Sequence, residues 1–369
     1  MNYSEADRLN IWLSIAFEGA ARSAKLASEL NNGPAEFREA VLKGTAVLPN
    51  IGEAHKKKVF ESAHDAYLDG FIANLEKAGI AAITLDSPNY PVLLDKIDDP
   101  PFVLYAIGKA ASRQIVNPIA VIGTRRCSDY GRTVAGMMGR ALAENGCTVI
   151  SGLAPGCDSY AHEGALMAEG NDFPTVAVLG QGVLVRKTDY TAKVMEAILE
   201  RGMVVSEFLP NTPPQRGSFP MRNRIISGIS NGVVVVEAGQ KSGTMITVDC
   251  ALDQGRNVYA VPCRITEVLN FGTNTMLSQG MAQPVYSTDD LLLQLGIEPK
   301  QTKSAPSVSE MILDVKQKSL YEIIALGEKS FDDLYESTGL TVEELNMHLT
   351  DLEFSGLIKQ LPGRVYTVS

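Results

Sequence analysis

Residues 119–166 read IAVIGTRRCSDYGRTVAGMMGRALAENGCTVISGLAPGCDSYAHEGAL, and this stretch decides the fold. Two short apolar runs, IAVIG and CTVIS, each lead through a small-residue loop into a segment with helical spacing. A strand apolar at nearly every position is buried on both faces, as in a parallel sheet covered by helices. The same pattern returns in TVAVLG (175–180), MVVSEF (203–208), GVVVVEA (232–238) and NVYAVP (257–262). Residues 79–298 are therefore expected to form a doubly wound parallel α/β domain, whose ligands bind outside the carboxyl ends of the strands.

Working outward, LNIWLSIAF, FREAVLKG and HKKKVFESAHDAYLDGFIANLEKAG carry apolar residues three and four apart, so residues 1–78 read as a small helical domain of helix-hairpin-helix or SAM-like type. Within it, the turn Leu48-Pro49-Asn50-Ile51-Gly52 and the following Lys56, Lys57 and Lys58 form either a phosphate-facing turn or a plain interhelical connection with a solvated face. Residues 299–310 are rich in Pro, Ser and Lys and read as a linker. Residues 311–369 show three short helical segments and a hairpin around Pro362-Gly363, a winged-helix pattern.

Hydrophobic residues make up 45% of the 369 and charged residues 21%, which marks a folded chain rather than a disordered one. No apolar run suits a membrane span, and the acidic, polar start MNYSEADRLN does not resemble a signal peptide. The five cysteines are odd in number and never form a C-x-x-C pair, so we expect reduced thiols, no structural zinc and a cytoplasmic location. A net charge of -10 counts against nucleic acid as a partner, yet the charge is unevenly spread. Residues 100–128 hold Lys109, Arg113, Arg125 and Arg126 with no acid, and residues 208–236 hold Arg216, Arg222 and Arg224 with none. Two such windows in an acidic chain point to one local anion site.

The strand-exit loops carry the candidate site. Gly123-Thr124-Arg125-Arg126 offers backbone N–H groups, a helix N-terminus and forked guanidiniums to a phosphate, but is neither G-x-G-x-x-G nor Walker A, which removes support for dinucleotide or ATP chemistry. Ser151-Gly152-Leu153-Ala154-Pro155-Gly156-Cys157-Asp158 clears space above the second strand, with Asp158 expected to cap the next helix. Asp158 and His162, four apart, have no third partner that would make them an acid–base pair. In Arg216-Gly217-Ser218-Phe219-Pro220-Met221-Arg222-Asn223-Arg224 an aromatic is interleaved with arginines, so cations can follow a backbone while a ring stacks on an unpaired base; Arg222 and Arg224 could instead brace the fold. The exit Glu237-Ala238-Gly239-Gln240-Lys241-Ser242-Gly243-Thr244 adds further N–H groups. Gly228-Ile229-Ser230-Asn231-Gly232 matches a hydrolase elbow, but it precedes a strand instead of following one.

In order, IGTRRCSDYG, SGLAPGCDSYAHEGAL, TVAVLGQG, SEF, FPMRNRIISGIS, VVVVEAGQKSGTMIT, QGRNVYAVP and FGTN resemble the DprA (Smf) DNA-processing family, from about residue 88 to about residue 286. The resemblance implies an extended Rossmann-like domain that forms a homodimer, binds and protects single-stranded DNA and helps load the recombinase RecA during natural transformation. It implies no catalysis, cofactor, metal or membrane partner. By motif, the nucleic-acid contacts are Gly123, Thr124, Arg125, Ser151, Gly152, Ala154, Arg216, Phe219, Arg222, Asn223, Arg224, Lys241 and Ser242. The chain departs from the family at Thr188-Asp189-Tyr190-Thr191, where a Tyr-Pro is usual, and at Cys263, where a Gly is usual.

Residues 318–369 carry nine acids against four bases, and VEELNMHLTDLEF, the helix that would enter a groove, has no Lys or Arg. This winged helix is accordingly expected to contact protein rather than duplex DNA. A rival reading, a nucleotide hydrolase of the lysine-decarboxylase-like type, needs a glutamate after Gly243-Thr244, where this chain has Met245, Ile246 and Thr247.

Overall fold

The reciprocal cap at Ser4, whose hydroxyl accepts the Asp7 N–H while the Asp7 carboxylate accepts the Ser4 N–H, starts helix α1 (Glu5–Phe17). The structure, a computed structural model, describes residues 3–186, 190–240, 242–266, 271–300, 315–354 and 357–368. Then come α2 (Ala21–Leu30), α3 (Pro34–Lys43), α4 (Glu53–Ser62) and α5 (Asp65–Lys77). Helix α2, which the sequence reading did not single out, turns Ala21, Ala24, Ala27 and Ser28 inward. The long helical stretch read from the sequence breaks at His64, whose extended backbone caps α5. Lys56, Lys57 and Lys58 pair with Glu53, Glu61 and Glu18.

The rest of the first unit (Met1–Lys300) alternates strands and helices. The elements are β1 (Ala81–Thr84), β2 (Val103–Ile107), β3 (Pro118–Ile122), α6 (Asp129–Glu144), β4 (Thr148–Ser151), α7 (Cys157–Met167), β5 (Thr175–Val178), α8 (Thr191–Arg201), β6 (Met203–Ser206) and α9 (Ser218–Ile229). They continue with β7 (Gly232–Val235), α10 (Gly243–Asp253), β8 (Asn257–Ala260), α11 (Gly272–Ser278), β9 (Gln283–Pro284) and α12 (Thr288–Gln294). Among the described residues the strands form one sheet in the order β1-β2-β6-β5-β4-β3-β7-β8-β9. β6 through β9 in that order run parallel, as expected, and the antiparallel pairs β1–β2 and β2–β6 extend one edge. The chain moves outward from β3 through β4, β5 and β6, then returns over α9 to β7 on the other side of β3. That reversal opens a crevice between the exits of β3 and β7.

Three apolar layers follow from this topology. Trp12 and Phe37, their rings 5.0 Å apart, anchor a cluster that continues into Val103, Tyr105 and Val204 of the sheet. Two further clusters fill the two faces around β3, β4 and β7. All five cysteines are free thiols, and no described helix is long and apolar enough to cross a membrane.

In the second unit (Gln301–Ser369), α13 (Val315–Ala325), β10 (Lys329–Ser330), α14 (Phe331–Thr338), α15 (Val342–Phe354), β11 (Ile358–Leu361) and β12 (Val365–Val368) make a winged helix around Leu320, Leu334, Leu349 and Tyr366. Most of the expected linker lies outside the described residues.

Candidate nucleic-acid interface

β3 ends at Ile122, and the loop after it is held at both ends by one residue, Glu237, which sequence reasoning assigned no role. The Thr124 N–H donates to the Glu237 carbonyl at 2.8 Å. The Ser128 N–H donates to the Glu237 carboxylate at 2.9 Å, and the Ser128 hydroxyl donates to its other oxygen. Ser128 also caps α6 by accepting the Gly131 N–H at 3.0 Å. Gly131 must lack a side chain, because a Cβ there would lie 2.4 Å from the carboxylate. Fixed in this way, the loop presents Arg125 and Arg126 to solvent. Glu237→Ala removes the acceptor for two part-buried donors of Ser128 and is expected to cost about 2 kcal/mol. Urea denaturation should show the loss, with Glu237→Gln recovering part of it.

The loop after β4 turns at Leu153, a buried non-glycine residue with φ of 50°. Asp158 does not cap α7, contrary to expectation. Gly156 occupies the cap position without a side-chain bond, and the Asp158 carboxylate turns inward to accept the Gly152 N–H at 3.1 Å. Burial pushes the Asp158 carboxyl upward, opposed by the positive charge of Arg222. Ser151 is buried too, its hydroxyl donating to the Val121 carbonyl at 2.7 Å. His162 sits behind the loop with Nδ1 2.7 Å from the Thr175 hydroxyl, and burial lowers its pKa to about 3. A neutral imidazole tied to a threonine is a packing group, not half of an acid–base pair.

The arginine-rich segment belongs mostly to α9, not to a loop. Arg222 lies flat on Gly152, where a Cβ would approach its guanidinium to 2.6 Å, and donates to the Gly152 carbonyl at 2.7 Å and to the Val178 carbonyl. Arg216 is exposed just before the helix. Phe219 packs beneath Arg125, whose guanidinium stands 5.5 Å from the ring centroid.

These elements enclose an open cavity of about 610 Å³. Of the expected contacts, Gly123, Thr124, Arg125, Ala154, Arg216, Phe219, Arg222, Asn223 and Ser242 line it. Ser151 and Gly152 lie beneath it. Arg224 faces elsewhere, donating to Glu207 at 2.7 Å and to Asp99 at 3.1 Å. Lys241, Thr188 and Asp189 lie outside the described residues. The lining also takes in Arg126, Thr244 and Thr247, the last two spaced three apart near the start of α10. Four arginines thus meet one acid, Asp158, which is already bonded to the backbone. Among the described residues no carboxylate forms a salt bridge with Arg125, Arg126 or Arg216. The two windows converge only in part, since Lys109 pairs with Glu200 and Arg113 bonds the Asp172 carbonyl.

A doubly wound sheet with an arginine-lined crevice at its switch point places the chain among α/β proteins built to receive an anion there. The chain belongs to the DNA recombination-mediator protein A family, which it matches over residues 81–296, and residues 303–364 match the DprA winged helix domain. It is 35% identical to Protein Smf of Escherichia coli over 300 residues, covering 78% of each chain. The X-ray structure of DprA from Streptococcus pneumoniae is similar with a TM-score of 0.63 at 27% identity, covering 80% of this chain and 99% of that one. DNA processing protein A from Helicobacter pylori, described for its unique single-stranded DNA binding mode, has a TM-score of 0.53 at 29% identity, covering 58% and 95%. The resemblance read from the sequence is therefore correct at the level of family and fold.

Proposed function

We propose that this protein binds single-stranded DNA in the crevice between the exits of β3 and β7, performs no covalent chemistry on it, and acts in the cytoplasm as a homodimer that helps load RecA during natural transformation. In this reading residues 1–78, 79–298 and 311–369 serve as three domains joined by the linker 299–310, and the winged helix contacts protein. One observation carries it: Arg125, Arg126 and Arg216, in no salt bridge among the described residues, line the crevice together with the half-buried ring of Phe219. Guanidiniums follow phosphates, and a ring in the crevice favours an unpaired base over a stacked pair. The H. pylori relative, described for binding single-stranded DNA, supports the same ligand. The non-catalytic part of the reading is supported by the sequence after Gly243-Thr244, where Met245, Ile246 and Thr247 stand and the rival hydrolase needs a glutamate.

The test is a titration of fluorescent oligo-dT against the matching duplex. Preference for the single strand is expected, with log affinity falling against log salt at about 0.7 per phosphate contacted. Equal affinity for both forms, or no salt dependence, would reject the proposal. Release of free base from nucleoside monophosphates would reject the non-catalytic part.

A further inference from the structure

On the other flank of the loop after β4 stands a group of side chains that the crevice does not use. Tyr160 lies in the first turn of α7 and Tyr190 immediately precedes α8. Their rings are stacked, with centroids 6.4 Å apart and planes at 29°. The Arg132 guanidinium, from α6, covers Tyr160 at 5.1 Å. Arg132, Tyr160 and Tyr190 therefore form a column, and its outer member remains 45% exposed although one side faces Tyr160. The hydroxyl of Tyr190 is anchored, accepting the Gly156 N–H at 2.8 Å. The next residue, Cys157, donates its N–H to the Thr124 carbonyl at 3.2 Å, so only one loop separates the Tyr190 ring from Thr124 and Arg125.

The column also lies on the correct edge of the sheet. α6, α7 and α8 begin beyond the carboxyl ends of β3, β4 and β5, the edge on which the crevice opens. Arg132 is 54% exposed and only loosely paired with Asp129 at 3.6 Å, and Arg186 is exposed ahead of Tyr190. Among the described residues, Asp129 and Glu163 are acids that interact with Arg132. A packing tyrosine would bury its ring. Here the hydroxyl is fixed and the ring left open, which suits a stacking platform.

We propose that this column is a second single-strand subsite, in which Tyr190 stacks one unpaired base of a strand leaving the crevice across the loop after β4. Arg132 stands beside the path of its phosphates. The inference rests on the crevice being the primary single-strand site, so its test must separate the two.

The full chain is titrated with labelled oligo-dT of about 5 and about 20 nucleotides, lengths that bracket most of the range of about 4 to 16 nucleotides that single-strand sites occupy. Tyr190→Ala is expected to lower affinity for the long oligomer about tenfold and to leave the short one unchanged. Tyr190→Phe keeps the ring but loses the bond to Gly156, and is expected to bind both like the parent. Arg216→Ala should weaken both lengths. Parental binding of the long oligomer by Tyr190→Ala, equal loss for both lengths, or a Phe variant as weak as the Ala variant would overturn the subsite while leaving the crevice intact. If the parent binds neither oligomer, the crevice proposal fails and the subsite falls with it.

Discussion

Arg224→Met is expected to destabilise the protein by about 3–5 kcal/mol, seen as a lower urea midpoint. Its guanidinium is only 10% exposed and holds the Glu207 carboxylate, itself 1% exposed, at 2.7 Å. The methionine fills most of the space but strands that carboxylate away from water. Burial already pushes the Glu207 carboxyl up to about 7, against the pull of Arg224. Because this folded pKa stands above the unfolded value of about 4.3, the folded state holds the proton more tightly. The corresponding stability is complete below about pH 4.3 and is lost as pH rises through about 7. Removing Arg224 raises the folded pKa further. The penalty should accordingly be smallest near pH ~5 and grow toward pH ~8. Equal penalties at both pH values would show that Glu207 is not the group the arginine neutralises.

Position Arg224 also shows what the sequence could and could not disclose. Arg222 and Arg224 stand in one arginine-rich run, and as loop residues both would be free to face the same ligand. The run is instead helical from Ser218, and two residues along a helix turn the side chain by about 200°. Arg222 therefore meets Gly152 at the crevice, while Arg224 meets Glu207 and Asp99 on the opposite side. Residue type was legible, but direction required the helix boundary. Glu237 was illegible for a different reason: its partner Ser128 lies 109 positions earlier, and only the pairing of β3 with β7 brings them together.

The parallel strands were easy to read because burial on both faces writes a continuous apolar run, GVVV in β7 being the plainest. The edge strand β1 is only AAIT, too short and alanine-rich to stand out from a helix end. The strand-exit loops were readable through glycine and arginine, residues whose chemistry is specific enough to suggest a phosphate before any geometry is known. Thr244 and Thr247 carry no such mark, since small polar residues at a helix start serve equally well as structural groups.

The double replacement Arg125→Ala, Arg216→Ala is expected to weaken oligo-dT binding about a hundredfold, each arginine contributing about tenfold, or about 1.4 kcal/mol. Both side chains are exposed and neither is in a salt bridge among the described residues, so truncation strands no carboxylate. Folding stability should then stay within about 0.5 kcal/mol of the parent, which makes the binding loss interpretable. Each lost phosphate contact should also make the salt dependence shallower by about 0.7 in the log–log slope. The two effects need not be strictly additive, because Arg125 covers the Phe219 ring and its removal frees that ring to reorient. Anisotropy titrations at several salt concentrations, beside a thermal melt, supply all three quantities. A hundredfold loss with an unchanged salt slope would mean that the arginines hold Phe219 in place rather than meet phosphates, and unchanged affinity in a folded double variant would remove the crevice from the path of the DNA.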